Sequence, residues 1–123
     1  MDARRTLTIA AALIAIATAM GAFGAHALKA HLSQDKLQVY ETAVRYQFLH
    51  ALGLVAIGLW QRSNDAGLLR WSATIILAGI VLFSGSLYLL TFNAPRVLGI
   101  LTPLGGLGLI AGWILVAVCA SRS

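Results

Sequence analysis

Charge is scarce in this chain. Only 11% of its 123 residues are Asp, Glu, Lys or Arg, against about 25% in a typical soluble domain. With 59% hydrophobic residues, a soluble fold of this size would have too little polar surface to show to water. Cysteine is almost absent too. Cys119 stands alone, which excludes an internal disulfide and any CxxC chemistry. Proline occurs only at Pro95 and Pro103, so little in the chain breaks a helix. No phosphate loop, nucleophile elbow, HExxH spacing or convincing Ser-His-Asp set occurs.

What fills the chain is apolar length. Four stretches carry no Asp, Glu, Lys or Arg: Thr6–Ala25, Tyr46–Gln61, Trp71–Pro95 and Val97–Ser121. A bilayer's hydrocarbon core is about 30 Å thick, which a helix crosses in about 20 residues. Three stretches meet that length. Residues 46–61 reach only about 24 Å, so the second helix must borrow from its polar flank. Ser33 suits an N-cap, with Gln34 and Asp35 in the first turn, and residues 34–60 read as one helix, amphipathic at first and then transmembrane. The sequence thus predicts an all-α, four-helix transmembrane bundle over 1–123, with spans near 6–25, 42–61, 71–93 and 97–120. Arg4-Arg5 before the first stretch resembles a signal-peptide start, but the apolar core is long and Ala19-Met20-Gly21 is a poor cleavage site, so it reads as a retained span. Pro95 suits the first turn of the fourth helix, and Pro103 predicts a kink or loosened turn inside it.

An even number of spans puts both termini on one side. Arg4, Arg5, Arg62, Arg70 and Arg122 fall on that side, and Lys29, Lys36, Arg45 and Arg96 on the other, so the positive-inside rule places both termini in the cytoplasm. The net charge of +5 is scattered over the loops, the pattern of headgroup anchoring; no nucleic-acid partner is expected. The middles of the first, third and fourth helices lack any charged residue, which argues against a proton- or sodium-coupled transporter.

Small residues mark helix contacts, because in lipid close packing replaces the hydrophobic drive. Ala11, Ala15, Thr18, Ala22 and Ala25 stripe the first helix. Gly105, Gly108 and Gly112 line one face of the fourth. Both stripes are expected to be seams inside the bundle, or one a contact between copies. The polar candidates cluster at one end: His26 closes the first helix, and Tyr40, Glu41, Arg45, Tyr46, Gln47 and His50 open the second. Glu41 and His50, nine residues apart, lie about 180° apart on the helical wheel. The third helix offers Ser84, Tyr88 and Thr91 as an i, i+4, i+7 stripe at matching depth. His50 is therefore expected to bond with Tyr46, Tyr88 and Ser84, without metal. A haem or metal site from His26 and His50 is the alternative that neutral imidazoles allow.

Four segments together carry a resemblance. They are Gly21-Ala22-Phe23-Gly24-Ala25-His26-Ala27-Leu28, Tyr40-Glu41-Thr42-Ala43-Val44-Arg45-Tyr46-Gln47-Phe48-Leu49-His50-Ala51-Leu52, Leu82-Phe83-Ser84-Gly85-Ser86-Leu87-Tyr88, and Thr102-Pro103-Leu104-Gly105-Gly106 with Gly112-Trp113. In this order the chain resembles the domain of unknown function 423 family, small four-helix bacterial inner-membrane proteins with relatives in eukaryotes. The resemblance implies fold and location but no activity and no cofactor. It makes His26, Glu41, Arg45, Tyr46, Gln47, His50, Ser84, Ser86 and Tyr88 the candidate polar network, and Gly21, Gly24, Gly105 and Gly112, with Gly108 from the spacing in the fourth helix, the packing positions. The expected role is a non-enzymatic assembly or lipid-interacting factor, with the bilayer, a second copy or other membrane proteins as partners. A small oligomeric channel or carrier, with a polar path near His50 and Tyr88, is the other reading.

Overall fold

The computed structural model describes Met1–Ser123 as four long helices: α1 (Ala3–His26), α2 (Gln34–Gln61), α3 (Gly67–Thr91) and α4 (Leu101–Ser121). All four are long and apolar enough to cross a membrane, and the chain has no strands. Local chemistry sets the ends. Asp2 accepts from Arg5 N at 2.8 Å and caps α1. A backbone hydrogen bond from Arg5 holds the Asp2 carboxyl below its usual pKa, and nearby positive charge helps. Ser33 caps α2 through Lys36 N at 3.3 Å, so α2 runs unbroken from its amphipathic start through its apolar part. Asn93 adopts a positive φ of 65° just beyond α3, a conformation Asn tolerates better than most residues.

Two details differ from the sequence reading. A short 3-10 turn, Leu28–Ala30, sits inside the first loop. Residues 96–100 form another 3-10 turn before α4 begins at Leu101. Pro103 is therefore the third residue of α4 and not an interior kink. Proline is tolerated in a first turn because its missing N–H would find little partner there, so the irregularity lies upstream of Pro103.

The helices pack in chain order: α1 on α2, α2 on α3, α3 on α4. Along α1–α2, Gly24 faces the Tyr40 ring, Gly21 faces Val44, and Gly58 faces Thr6 and Leu7. Along α3–α4 the approach is tighter. A Cβ on Gly105 would strike the Phe83 and Leu82 backbone, and one on Gly112 would strike Ile76. A Cβ on Gly108 would meet the Gly79 backbone at an ordinary 3.5 Å. The α4 stripe is thus an internal seam, but the α1 stripe is not. Ala11, Ala15, Thr18, Ala22 and Ala25 are all exposed, and the packed face of α1 carries Thr6, Ala10, Ala17 and Gly24 instead. Spacing by three and four fits more than one face of such an alanine-rich helix, and the face used is the one that sets Gly24 against the Tyr40 ring.

Candidate functional site

Polar groups inside a membrane bundle need partners, because the hydrocarbon offers none. On the side of α2 that faces α1 and α3, the side chains around Gln47 find theirs, and Gln61 Oε1 at the far end of α2 is the one buried side-chain polar atom without one. Tyr88 donates to Gln47 Oε1 at 2.6 Å, and Gln47 Nε2 donates to the Leu13 carbonyl at 2.8 Å. Ser84 donates to the Ala43 carbonyl at 2.7 Å, and Tyr40 donates to the Met20 carbonyl. The Tyr40 ring meets Tyr88 edge-on at 5.7 Å. Ser86 is hydrogen-bonded to Thr102 of α4. Lys36 donates to the Leu90 carbonyl at 2.7 Å and closes the end of α3.

The expected network of His50, Tyr46, Tyr88 and Ser84 is therefore split in two. His50 Nδ1 accepts from Trp113 Nε1 of α4 at 2.9 Å, while Tyr88 donates to Gln47 and Ser84 to the Ala43 carbonyl. Indole is a donor only, so Nδ1 must be unprotonated and the imidazole's hydrogen sits on Nε2. Sequence reasoning singled out His50 but missed this partner. The available signal was Trp113 itself, an indole within an apolar helix that has to place its N–H. Gly53, one turn beyond His50, makes the room: a Cβ there would overlap the Trp113 ring.

His26 stands apart. The α1–α2 register puts His50 level with Ile14, so His26 lies roughly 18 Å further along the axis. It is also exposed. The two histidines do not face a common ligand, and no cluster of three metal-ligating side chains forms. Glu41 and Arg45 are exposed on α2 beside Gly21 and Gly24; the only ion pair in the chain is Arg70–Asp65, at 2.7 Å.

Next to that face, about 60° further round α2, the surface between α2, α3 and α4 opens into a groove of about 590 Å³. Tyr46, His50, Phe83 and Trp113 form its aromatic wall, and Gly106, Leu109, Ile110, Ile114 and Ala117 its aliphatic one. Tyr46 stacks on His50 at 5.8 Å and leans on Phe83 at 4.9 Å. No charged residue lines it. Within the span 42–61, His50 lies about 12 Å from one end and about 16 Å from the other, level with the middle of α1. The groove thus sits near half height in the bundle and opens sideways toward lipid.

Comparison with known proteins agrees with this architecture. The family model for "Protein of unknown function (DUF423)" matches residues 20–106. The chain belongs to that family. Among similar proteins, the UPF0382 membrane protein SH2409 of Staphylococcus haemolyticus is 44% identical over 98 residues, 80% of each chain. The UPF0382 membrane protein YwdK of Bacillus subtilis is 42% identical over 108 residues, 87% of this chain and 88% of its own. The UPF0382 inner membrane protein YgdD of Escherichia coli K12 is 35% identical over 122 residues, 99% and 93% of the two chains. No solved structure matches. This DUF423 chain is a small multi-pass membrane protein, and the match covers every segment of α2 and α3 that builds the groove and the polar cluster.

Proposed function

We propose that this chain is a non-enzymatic, lipid-interacting membrane protein that holds a bilayer amphiphile in the groove between α2, α3 and α4. The carrying observation is that groove. It is a concave, neutral, largely apolar surface of about 590 Å³, inside the range of about 300–1,000 Å³ typical of small-molecule sites. It opens where only lipid-soluble molecules are present. Its polar members, His50, Tyr46 and Trp113, include no carboxylate to orient a base and no nucleophile beside one, which favours binding over catalysis. A channel or carrier reading has less support within one chain, because Tyr88 is engaged by Gln47 of α2, which is itself bonded to α1, and His50 is engaged by Trp113 of α4.

The same reading places both termini in the cytoplasm, supported by five arginines at that end of the bundle against four cations at the other, one of which, Lys36, is engaged by the Leu90 carbonyl. Purification from native membranes followed by mass spectrometry of bound small molecules tests the function. Wild type is expected to retain an amphiphile near one per chain. Gly106→Leu is expected to lose it, because a Cβ at Gly106 meets Phe83 only at 3.8 Å and the longer side chain then fills the groove without disturbing the seam. Equal retention by the two proteins overturns the proposal.

A further inference from the structure

Resting on the groove reading, we infer that the groove takes an uncharged, flat-ringed amphiphile with a carbonyl head and a long apolar chain, an isoprenoid quinone, and that His50 Nε2–H is the donor to that carbonyl. The Trp113 bond to Nδ1 fixes the imidazole so that its single hydrogen lies on Nε2. Nε2 has no partner within the chain, and it is not among the enclosed polar atoms, so it is accessible in a side chain that lines the groove. The Tyr46 hydroxyl, on the same wall, is likewise free of any protein acceptor, and its side chain is exposed. A preset donor in an apolar groove is satisfied only by an occupant with an acceptor.

Depth selects the occupant. His50 is near half height, so an acceptor there lies roughly 12–16 Å from the ends of the apolar span that matches the hydrocarbon core. Phospholipid phosphates and ester carbonyls reside at those edges. Acyl tails, which do reach this depth, have no acceptor. A charged head is disfavoured because no lining residue carries charge to pair with it and an unpaired charge at this depth is costly. A neutral carbonyl head on a hydrocarbon chain meets every condition. Flatness follows from the wall: the rings of Tyr46, His50, Phe83 and Trp113 stand together and favour stacked or edge-on contact with a planar ring.

The test uses the full chain in nanodiscs of dioleoylphosphatidylcholine, with the saturable part of tryptophan quenching read against a Trp113→Phe control. Decylubiquinone is the probe; dioleoylglycerol and hexadecane are the competing neutral lipids. Wild type is expected to show saturable quenching that neither competitor displaces. His50→Asn keeps an acceptor for Trp113 near the place of Nδ1 and withdraws the outer donor, so affinity should fall about tenfold, the worth of one buried hydrogen bond. Tyr46→Phe changes an exposed position and should weaken binding about threefold, an independent arm should His50→Asn fold poorly. Absence of saturable quenching, affinity unchanged by both variants, or displacement by dioleoylglycerol each overturns the inference. If decylubiquinone fails but Gly106→Leu still loses its native amphiphile, the groove reading survives and only the ligand class falls. If Gly106→Leu changes only the oligomeric mass, the groove is an interface between copies, and both fall.

Discussion

Two faces of α2 treat their polar residues in opposite ways. Toward α1 and α3, Tyr40, Gln47, Ser84 and Tyr88 are each hydrogen-bonded within the bundle, and Tyr40, Gln47 and Ser84 are buried. Toward α4, His50 has one nitrogen bonded and the other free, and Tyr46 has an unpartnered hydroxyl above an open groove. The first face is closed and satisfied, as a structural network in a membrane must be. The second leaves donors unspent beside empty volume, which is what a binding surface requires. Gln47 and His50, three residues apart, lie only about 60° apart on the helix, so the boundary between the closed and open faces runs between adjoining positions. The neighbouring helices decide where it falls.

Substitutions can break this contrast, and the largest effect belongs to the seam beneath both faces. Gly105→Leu drives a side chain into the Phe83 and Leu82 backbone, which cannot swing aside as a side chain does. Loss of about 3 kcal/mol or more, or failure to assemble, is expected, read as the melting temperature in detergent. Gly108→Ala, whose Cβ would sit at an ordinary contact distance from Gly79, should be nearly silent in the same assay. A harmless Gly105→Leu would mean that α3 and α4 are further apart than described, and a damaging Gly108→Ala that they are closer.

Gln47→Leu comes next. It removes the acceptor of Tyr88 and the donor to Leu13, leaving a half-buried phenol unpaired at a cost of about 1–3 kcal/mol. His50→Asn, on the open face, should change thermal stability by less than about 0.5 kcal/mol and alter ligand retention instead. If Gln47→Leu is silent and His50→Asn melts the protein, the assignment of closed and open faces is reversed.

The smallest effect lies outside both faces. Asp2→Ala removes the cap of α1. Because folding lowers the Asp2 pKa, the carboxylate contributes stability above its unfolded value, about 3.9, and loses it as the pH falls through the lower folded value. Wild type should therefore melt slightly above Asp2→Ala at pH 7, and the two should converge in strong acid. A difference that persists in strong acid would assign the effect to something other than the carboxylate.

Much of this molecule is written in its residues. The four spans follow from run length against bilayer thickness. Ser33 marks the start of α2 because a side-chain oxygen is needed there. Gly105 and Gly112 mark a seam because only a missing side chain permits that approach. His50, Gln47, Ser84 and Tyr88 stand out as polar groups in apolar helices whatever the fold. What the sequence left open is which partner each one takes and which side of a helix meets protein. The stripe Ala11, Ala15, Thr18, Ala22 and Ala25 has the spacing of a seam yet faces outward, and Pro103 has the look of a kink yet falls in a first turn. His50 bonds Trp113, 63 residues away, and not the Tyr88 its depth suggested. Hydropathy depends on each residue's own transfer free energy, so spans are legible one residue at a time. Pairing and the groove depend on the rotation and register of four helices about their axes, and only packing among all four sets those.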